Sequence, residues 1–434
     1  MESTRTGRSF AADVARLAAD EPAWLRAARH DALAAYEAAG LPDRARHLWR
    51  YTDPAKLLPG DRPLAEPGTE FGELPPDYHD GTFEKVAALV LVRDGRLLRS
   101  ALDPEVADAG LLVADLRAAA TQHEALVRPH LFALAQAQLE KFEALSAALF
   151  TGGDFVRVPA GLALNRPVRI AHRVGAAGLL ASRSLVVVGD GAQAEIVYDL
   201  ASADARGDAL LHAGAEVHVG AGARLRLVFI QTAGSAFVHA PVIRCRLARD
   251  AALETVTVAL GGGLVKSLQA TEIAGRGASS RALGIVFGDG RRHFDHHTVQ
   301  DHVVGHNESD LDYRTVLAGR ARSAYTGNLR IGLEGAGASA HQRNHNLLLS
   351  ESARADTIPE LEILTNDVAC SHAAAVGPID EEQVFFCTSR GLDPATARRV
   401  IVAGFLEPVI ARIPGEELQQ RIRGVLTSRL EAVT

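Results

Sequence analysis

Between residues 152 and 377 the chain keeps returning to one small turn, a glycine followed by an alanine. It stands at Gly191-Ala192, Gly222-Ala223, Gly277-Ala278 and Gly337-Ala338, with looser versions at Ala251-Ala252, Arg320-Ala321 and Ser352-Ala353. The runs between these turns are short and partly alternating, as in Ser184–Val188, Glu195–Tyr198, Glu216–Val219 and Arg224–Ile230. Many short strands joined by recurrent small-residue corners predict a solenoid. In a β-helix each coil buries its inward side chains against the coils above and below. Its corners need unusual φ values, which glycine adopts freely, and little bulk, which alanine supplies. A β-sandwich also turns on glycine, yet about 225 strand-rich residues would make an oversized one. The predicted body is a parallel β-helix, in a mainly β fold.

Helical periodicity appears on both sides. It divides the chain into a mostly helical N-terminal region (1–151), the β-helix core (152–377) and a C-terminal helical region (378–434). Pro22 to Gly40 reads as a helix with Trp24, Leu25, Ala28, Leu33 and Tyr36 on one face. Thr121 to Phe150 predicts another, carried by Leu131, Leu134, Leu139, Phe142, Leu145 and Leu149. Pro54 to Pro76 is proline-rich and predicts loop, and Val86–Val92 with Asp94-Gly95 and Arg96–Leu98 predicts a hairpin. Near the C-terminus, Asp393-Pro394 reads as an N-cap followed by proline at the first helical position. Val400, Ile401, Phe405, Val409, Ile410 and Ile413 follow on one face, and a last helix begins at Pro414. This helical end is expected to cap the last coil, whose strand edges would otherwise be bare. It is also expected to dock a partner through Phe405, Val409 and Ile410.

A net charge of −7 and the lack of any Lys/Arg-rich block argue against nucleic-acid binding. No run reaches the ~18–20 apolar residues of a membrane span. Glu2, Asp13, Asp20 and Glu21 among the early arginines disfavour a secretory signal or mitochondrial presequence, so the expected compartment is the cytoplasm. The three cysteines, Cys245, Cys370 and Cys387, form no CxxC pair and fit a reducing compartment. Three sulfurs cannot supply the four thiolates of a permanently held iron–sulfur cluster.

Two constellations carry donor atoms. The stretch His293–His306 holds His293, His296, His297, His302 and His306 with Asp295 and Asp301. These are zinc, iron or nickel donors. In a strand, however, His293, Asp295 and His297 share one face and His296 takes the other. Histidines stacked between coils as structural groups are the favoured reading. In Asp367-Val-Ala-Cys-Ser-His372, Cys370 and His372 lie two apart and point the same way when extended. They suit a soft or borderline metal, or a Cys–His nucleophile, or Cys370 is simply a small packed hydrophobe. Cys245 and Cys387 read as packing residues. Glu308, Asp310 and Asp312 with Arg314 read as a solvated polar face. No Walker, GxGxxG or GxSxG motif is present.

The run Asn344-His-Asn-Leu-Leu-Leu-Ser-Glu-Ser-Ala-Arg-Ala-Asp356 leads into Pro359-Glu-Leu-Glu-Ile-Leu-Thr-Asn-Asp-Val-Ala-Cys-Ser-His372. Then come Val376-Gly377, Asp380-Glu-Glu382 and Ser389-Arg-Gly391. Together these resemble the C-terminal signature of the SufB/SufD family. Leu48-Trp-Arg-Tyr-Thr-Asp53 resembles its N-terminal Trp–x–Tyr–Thr element. Asp312-Tyr-Arg-Thr-Val-Leu-Ala-Gly319 and Tyr325-Thr-Gly-Asn328 fit the same family. Cys-Ser-His is more SufD-like than SufB-like, although Ala373 replaces the usual glycine and Cys387 stands where SufB-type chains often have cysteine.

The resemblance implies a right-handed parallel β-helix flanked by helical domains. It implies a non-enzymatic scaffold for iron–sulfur cluster assembly, in complex with a SufB-like paralogue and a SufC-like ABC ATPase that performs the ATP chemistry. His372, with Cys370 beside it, becomes a candidate ligand of a transient cluster shared with SufB. A flavin, and a homodimer of the isolated chain, are both compatible with the resemblance. The rival is a β-helical hydrolase or lyase acting on polysaccharide through the Asp/His stretch. Against it stand an aromatic content of 5% and the expected lack of a secretory signal. A Cys–His hydrolase built on Cys370 and His372 would lack an identifiable orienting acid.

Overall fold

The computed structural model describes residues 9–69, 85–134, 140–202 and 208–433. Leu139 and the part of Pro54–Pro76 beyond residue 69 lie outside them.

The N-terminal region contributes α1 (Ala11–Ala18), α2 (Ala23–Ala38), the hairpin β1 (Ala88–Arg93) and β2 (Arg96–Leu102), α3 (Pro104–Asp108) and β3 (Leu112–Asp115). It then adds α4 (Leu116–Gln122), α5 (Glu124–Val127) and α6 (Lys141–Leu149). The solenoid opens with β4 (Gly153–Val158), β5 (Val168–Val174), β6 (Gly178–Val188), β7 (Gln193–Ser202), β8 (Ala209–Val219) and β9 (Arg224–Gln231). It continues with β10 (Phe237–Leu247), β11 (Ala252–Ala259), β12 (Leu264–Ile273), β13 (Ser279–Gly288) and β14 (His293–His302). It ends with β15 (Glu308–Leu317), β16 (Arg322–Ile331), β17 (Ala338–Leu348), β18 (Arg354–Ile363) and β19 (Val368–Pro378). The helices α7 (Glu381–Thr388), α8 (Pro394–Ile410) and α9 (Glu416–Glu431) follow.

Odd-numbered strands stack in one sheet, ordered β19 back to β5 and then β1 and β2. Even-numbered strands stack in the other, ordered β18 back to β4 and then β3. The chain crosses between sheets once per strand, and the stacked solenoid strands are parallel. This is the β-helix that the turn pattern predicted. Gly191, Gly222, Gly277 and Gly337 all have φ between 65° and 77°, in the left-handed region. The alanine after each is buried, so the corner pairs a backbone only glycine adopts cheaply with a side chain small enough to turn inward.

The two ends are closed differently. At the start, β2 runs antiparallel to β1 and β3 antiparallel to β4, so parallel stacking stops there. The helix expected over 121–150 is interrupted on the same side. Phe132 and Leu134 donate their backbone N–H groups to the two carboxylate oxygens of Glu216, at 2.8 and 2.9 Å. Buried Arg183 holds that carboxylate at 3.0 Å. Phe132 takes a positive φ of 65° to do so, and α6 begins only at Lys141.

At the far end, β18 and β19 are the last strands of their sheets. The C-terminal helices do not cap them as the sequence suggested. They lie along the outer face of the odd-numbered sheet, where Val228, Ile230, Val256, Val258, Ile285 and Phe287 pack against Leu406, Val409, Leu418 and Ile422. That apolar strip has a stronger claim on the helices than the edge polar groups, which water satisfies. The consequence corrects one expectation. Val409 and Ile410 are 1% and 2% exposed, and half-buried Phe405 lies under the Arg314 guanidinium, whose Nη1 also donates to the Phe405 carbonyl at 2.7 Å. Val409 and Ile410 are core residues and cannot form a docking surface.

Candidate functional site

β19 continues the alternation of the strand beneath it. Cys370 stacks over Ala340 and His372 over Gln342. Ala340, Gln342, Asn344 and Asn346 are all buried and point into the solenoid. Cys370 and His372 therefore occupy the inward columns of the last coil, where no further coil covers them. His372 is exposed and Cys370 half-buried, and burial pushes the Cys370 thiol upward. Ser371 faces outward, with its Oγ 2.7 Å from His341 Nδ1. On the facing strand, Leu361 and Ile363 sit over buried Leu329 and Ile331 and are themselves exposed. The end of the solenoid thus presents an uncovered core cross-section: Leu361, Ile363 and Val376 as apolar ground, and a thiol and an imidazole as donors.

The histidine stretch is divided by β14. Outward-facing His293, Asp295 and His297 meet the N-terminal region. Thr52 donates to Asp295, His293 Nε2 lies 3.0 Å from Thr52 Oγ1, and His297 Nε2 lies 2.8 Å from Asp295 Oδ1. Lys266 pairs with Asp295 at 3.1 Å. Burial opposes the Asp295 charge, but the His297 hydrogen bond, Lys266 and Thr52 outweigh it and hold its carboxyl well below the usual range. Inward-facing His296 is pushed down to about 4 by burial. His302 is sealed in by Asn307 and Ser309, at 2.5 and 2.8 Å. These groups clasp the N-terminal region to the solenoid and fill its interior. Asp295 and His296 are too deeply buried to meet a polysaccharide. Among the described residues no group of three or more His, Cys, Asp and Glu is set to hold a metal. Cys370 and His372 supply two donors, and a cluster bound there would need others from elsewhere.

Cys245 is buried in the apolar interior and pushed up to about 12 by burial. Cys387 on α7 is half-buried against the C-terminal core. Sequence reasoning missed Glu216. Its signal was a lone carboxylate between Ala215 and Val217, in a strand apolar on both sides. It also missed where the helices leave apolar surface bare. Phe385 and Phe386 on α7 are 72% and 57% exposed, and Val400 on α8 is exposed as well.

The fold and site define a class: a parallel β-helix blunted at its first coil and open at its last, with a Cys-x-His pair at the opening. Residues 171–405 match the SUF system FeS cluster assembly SufBD core domain, and residues 7–170 match the SufBD protein N-terminal region. An iron–sulfur cluster assembly SufBD family protein of Mycobacterium tuberculosis is 34% identical over 236 residues, 52% of this chain and 59% of the relative. One from Staphylococcus saprophyticus is 25% identical over 316 residues, covering 73% and 68%. The iron–sulfur cluster assembly protein SufB of Bacillus subtilis is 26% identical over 308 residues, covering 71% and 66%. The match thus spans less than two thirds of the mycobacterial relative's length. The chain belongs to the SufBD family of iron–sulfur cluster assembly proteins.

Proposed function

We propose that this chain is a SufD-type scaffold subunit, working in the cytoplasm with a SufB-like paralogue and a SufC-like ATPase. The observation that carries the proposal is the open last coil. Bare strand edges in both sheets, flanked by Leu361, Ile363 and Val376, are a template for another chain. Strand addition by a paralogue with its own open coil would cover the cross-section and bring its donors to Cys370 and His372. The nascent iron–sulfur cluster is cargo, held transiently at that seam. Partial ligation from each side is consistent with a chain that has two donors there and three cysteines in all. ATP hydrolysis belongs to the partner, and the exposed Phe385, Phe386 and Val400 are the surface we assign to it in place of Val409 and Ile410.

The test is co-expression with candidate SufB and SufC chains, followed by anaerobic iron and sulfide analysis of the purified complex. Phe385→Ser with Phe386→Ser should release the ATPase while leaving the paralogue bound. Failure of the wild-type chain to retain either partner would end this reading.

A further inference from the structure

The solenoid stacks its charges in two opposite ways. On the outer face of the odd-numbered sheet, Glu195, Arg226, Glu254, Arg281 and Asp310 occupy one column in successive coils. Signs alternate along it, and Arg226 bridges Glu195 and Glu254 at 2.7 and 2.8 Å. On the even-numbered sheet, at the corner leading into β14, β16 and β18, the signs do not alternate. His293 stacks on Arg322 and Arg322 on Arg354. Two residues earlier, the Arg320 N–H bonds to the Gly290 carbonyl, which places Arg320 beside Arg291. Neighbouring coils are about 4.8 Å apart, and like charges directly opposite are destabilising.

Arg291, His293, Arg320 and Arg322 line a pocket of about 530 Å³ with Lys56, Tyr51, Thr52 and Ser352. Lys56, Arg291, Arg320 and Arg322 make no ion pair among the described residues, in a chain whose net charge is −7. The nearby carboxylates are engaged elsewhere: Asp295 with Lys266 and His297, Asp356 with Arg354, Asp289 with Arg292. Asp53 accepts from the Ala55 N–H. The cations come from Lys56 and two separate corners, with Arg291 in one and Arg320 and Arg322 in the next, so a scan for a Lys/Arg-rich block finds nothing.

We propose that this pocket binds a small anion carrying two or more phosphate groups. Guanidinium groups pair with phosphate oxygens in bidentate fashion. The four cations surround a pocket of about 530 Å³, more room than one tetrahedral anion fills but suited to linked phosphates. The Tyr51 and Ser352 hydroxyls supply further donors. The site lies on the wall of the solenoid, apart from Cys370 and His372, and stands independently of the scaffold proposal.

The probe is pyrophosphate, titrated calorimetrically into the full chain at low salt. The wild type should bind pyrophosphate more tightly than inorganic phosphate, with affinity falling as salt rises. Arg320→Gln and Arg322→Gln should each weaken binding by about tenfold or more. Arg281→Gln, from the alternating column, should change it less than about twofold. In anion-free buffer Arg320→Gln should leave the melting temperature unchanged or raise it, and should shrink the rise that pyrophosphate gives the wild type. Absence of pyrophosphate binding at millimolar concentration overturns the proposal. So does wild-type affinity in both pocket variants, or a lowered melting temperature in anion-free Arg320→Gln.

Discussion

The first and last coils of this solenoid bury different interiors. In the early coils Val156, Val186, Ile196, Val217, Leu227 and Ile243 belong to one apolar cluster. One polar interruption there is satisfied: Ser184 and Tyr198 both donate to Asp154, at 2.8 and 2.6 Å. In the late coils the inward columns carry Gln269, His296, Thr298, Gln300, Gln342, Asn344 and Asn346, all buried. Some are satisfied. Gln269 donates to Thr255 at 2.6 Å, Thr298 meets the Tyr325 hydroxyl at 2.8 Å, and Asn346 donates to Asn344 at 2.8 Å. Others, including His296 Nδ1 and both amide atoms of Gln300 and Gln342, have no protein partner among the described residues. A buried polar group without a partner costs about 1–3 kcal/mol. The early coils should therefore be the more stable half, while polarity runs along the late ones to the opening where Cys370 and His372 extend the same columns.

The sharpest way to break this contrast is to cut one side chain from each interior. Leu227→Ala opens a cavity in the apolar cluster and should cost about 2–5 kcal/mol in urea unfolding. An equal loss from a truncation among the late-coil amides would mean that both halves are packed alike.

Acid should act on the buried histidines next. Burial pushes His212 and His296 down to about 4, against an ordinary value near 6.5. Between those values the unfolded chain binds more protons than the folded one. Stability from a neutral His296 is therefore complete above about pH 6.5 and drains away as pH falls towards 4. The share of His296 should reach on the order of 3 kcal/mol by pH 4. His296→Phe, placed where the imidazole now stacks on Phe294 and meets Tyr313 at a tilt, should flatten that part of the stability–pH curve. An unchanged slope would mean that the interior at His296 is wet and the ring titrates normally.

How much of this was legible in the sequence follows from what each feature depends on. The corners were legible because a left-handed φ and a crowded turn demand glycine and alanine locally, as at Gly222-Ala223. The division of the histidine stretch was legible because strand alternation is local too. Burial of Val409 and Ile410 was not, because an apolar helix face does not say whether it covers a solenoid end or its flank. That was decided by Val256, Ile285 and Phe287, from strands far away in sequence. The break after Phe132 was invisible for the same reason: Glu216 takes its N–H groups from a distant strand. That Cys370 and His372 share one face was legible from their spacing, but that they face an uncovered interior depends on where the stacking stops.

A smaller effect should follow from changing the polar interior without opening a cavity. Gln342→Met keeps the volume and removes two amide atoms that have no protein partner. The expected change is within about 1 kcal/mol, neutral or stabilising. A loss above about 2 kcal/mol would show that the amide is well satisfied and the late coils are not the weaker half.

The smallest effect on stability, and the largest expected on function, belongs to His372. It is exposed on the last coil, so His372→Ala should change unfolding free energy by no more than about 0.5 kcal/mol. A neutral imidazole nitrogen is a good iron ligand, and alanine has no donor to replace it. If the open coil holds the cluster at a seam with a paralogue, the complex should still assemble, since one side chain is a small part of such an interface. Its iron and sulfide content should nevertheless fall sharply. Cys370→Ser should act in the same direction and more weakly, because burial already disfavours its thiolate. A structural histidine would behave otherwise, with weaker assembly or a lower unfolding midpoint and loading in proportion to the complex recovered. Iron and sulfide per intact complex is therefore the deciding measurement. Wild-type loading in a well-assembled His372→Ala complex would take this residue out of the site and leave the ligands to the partner.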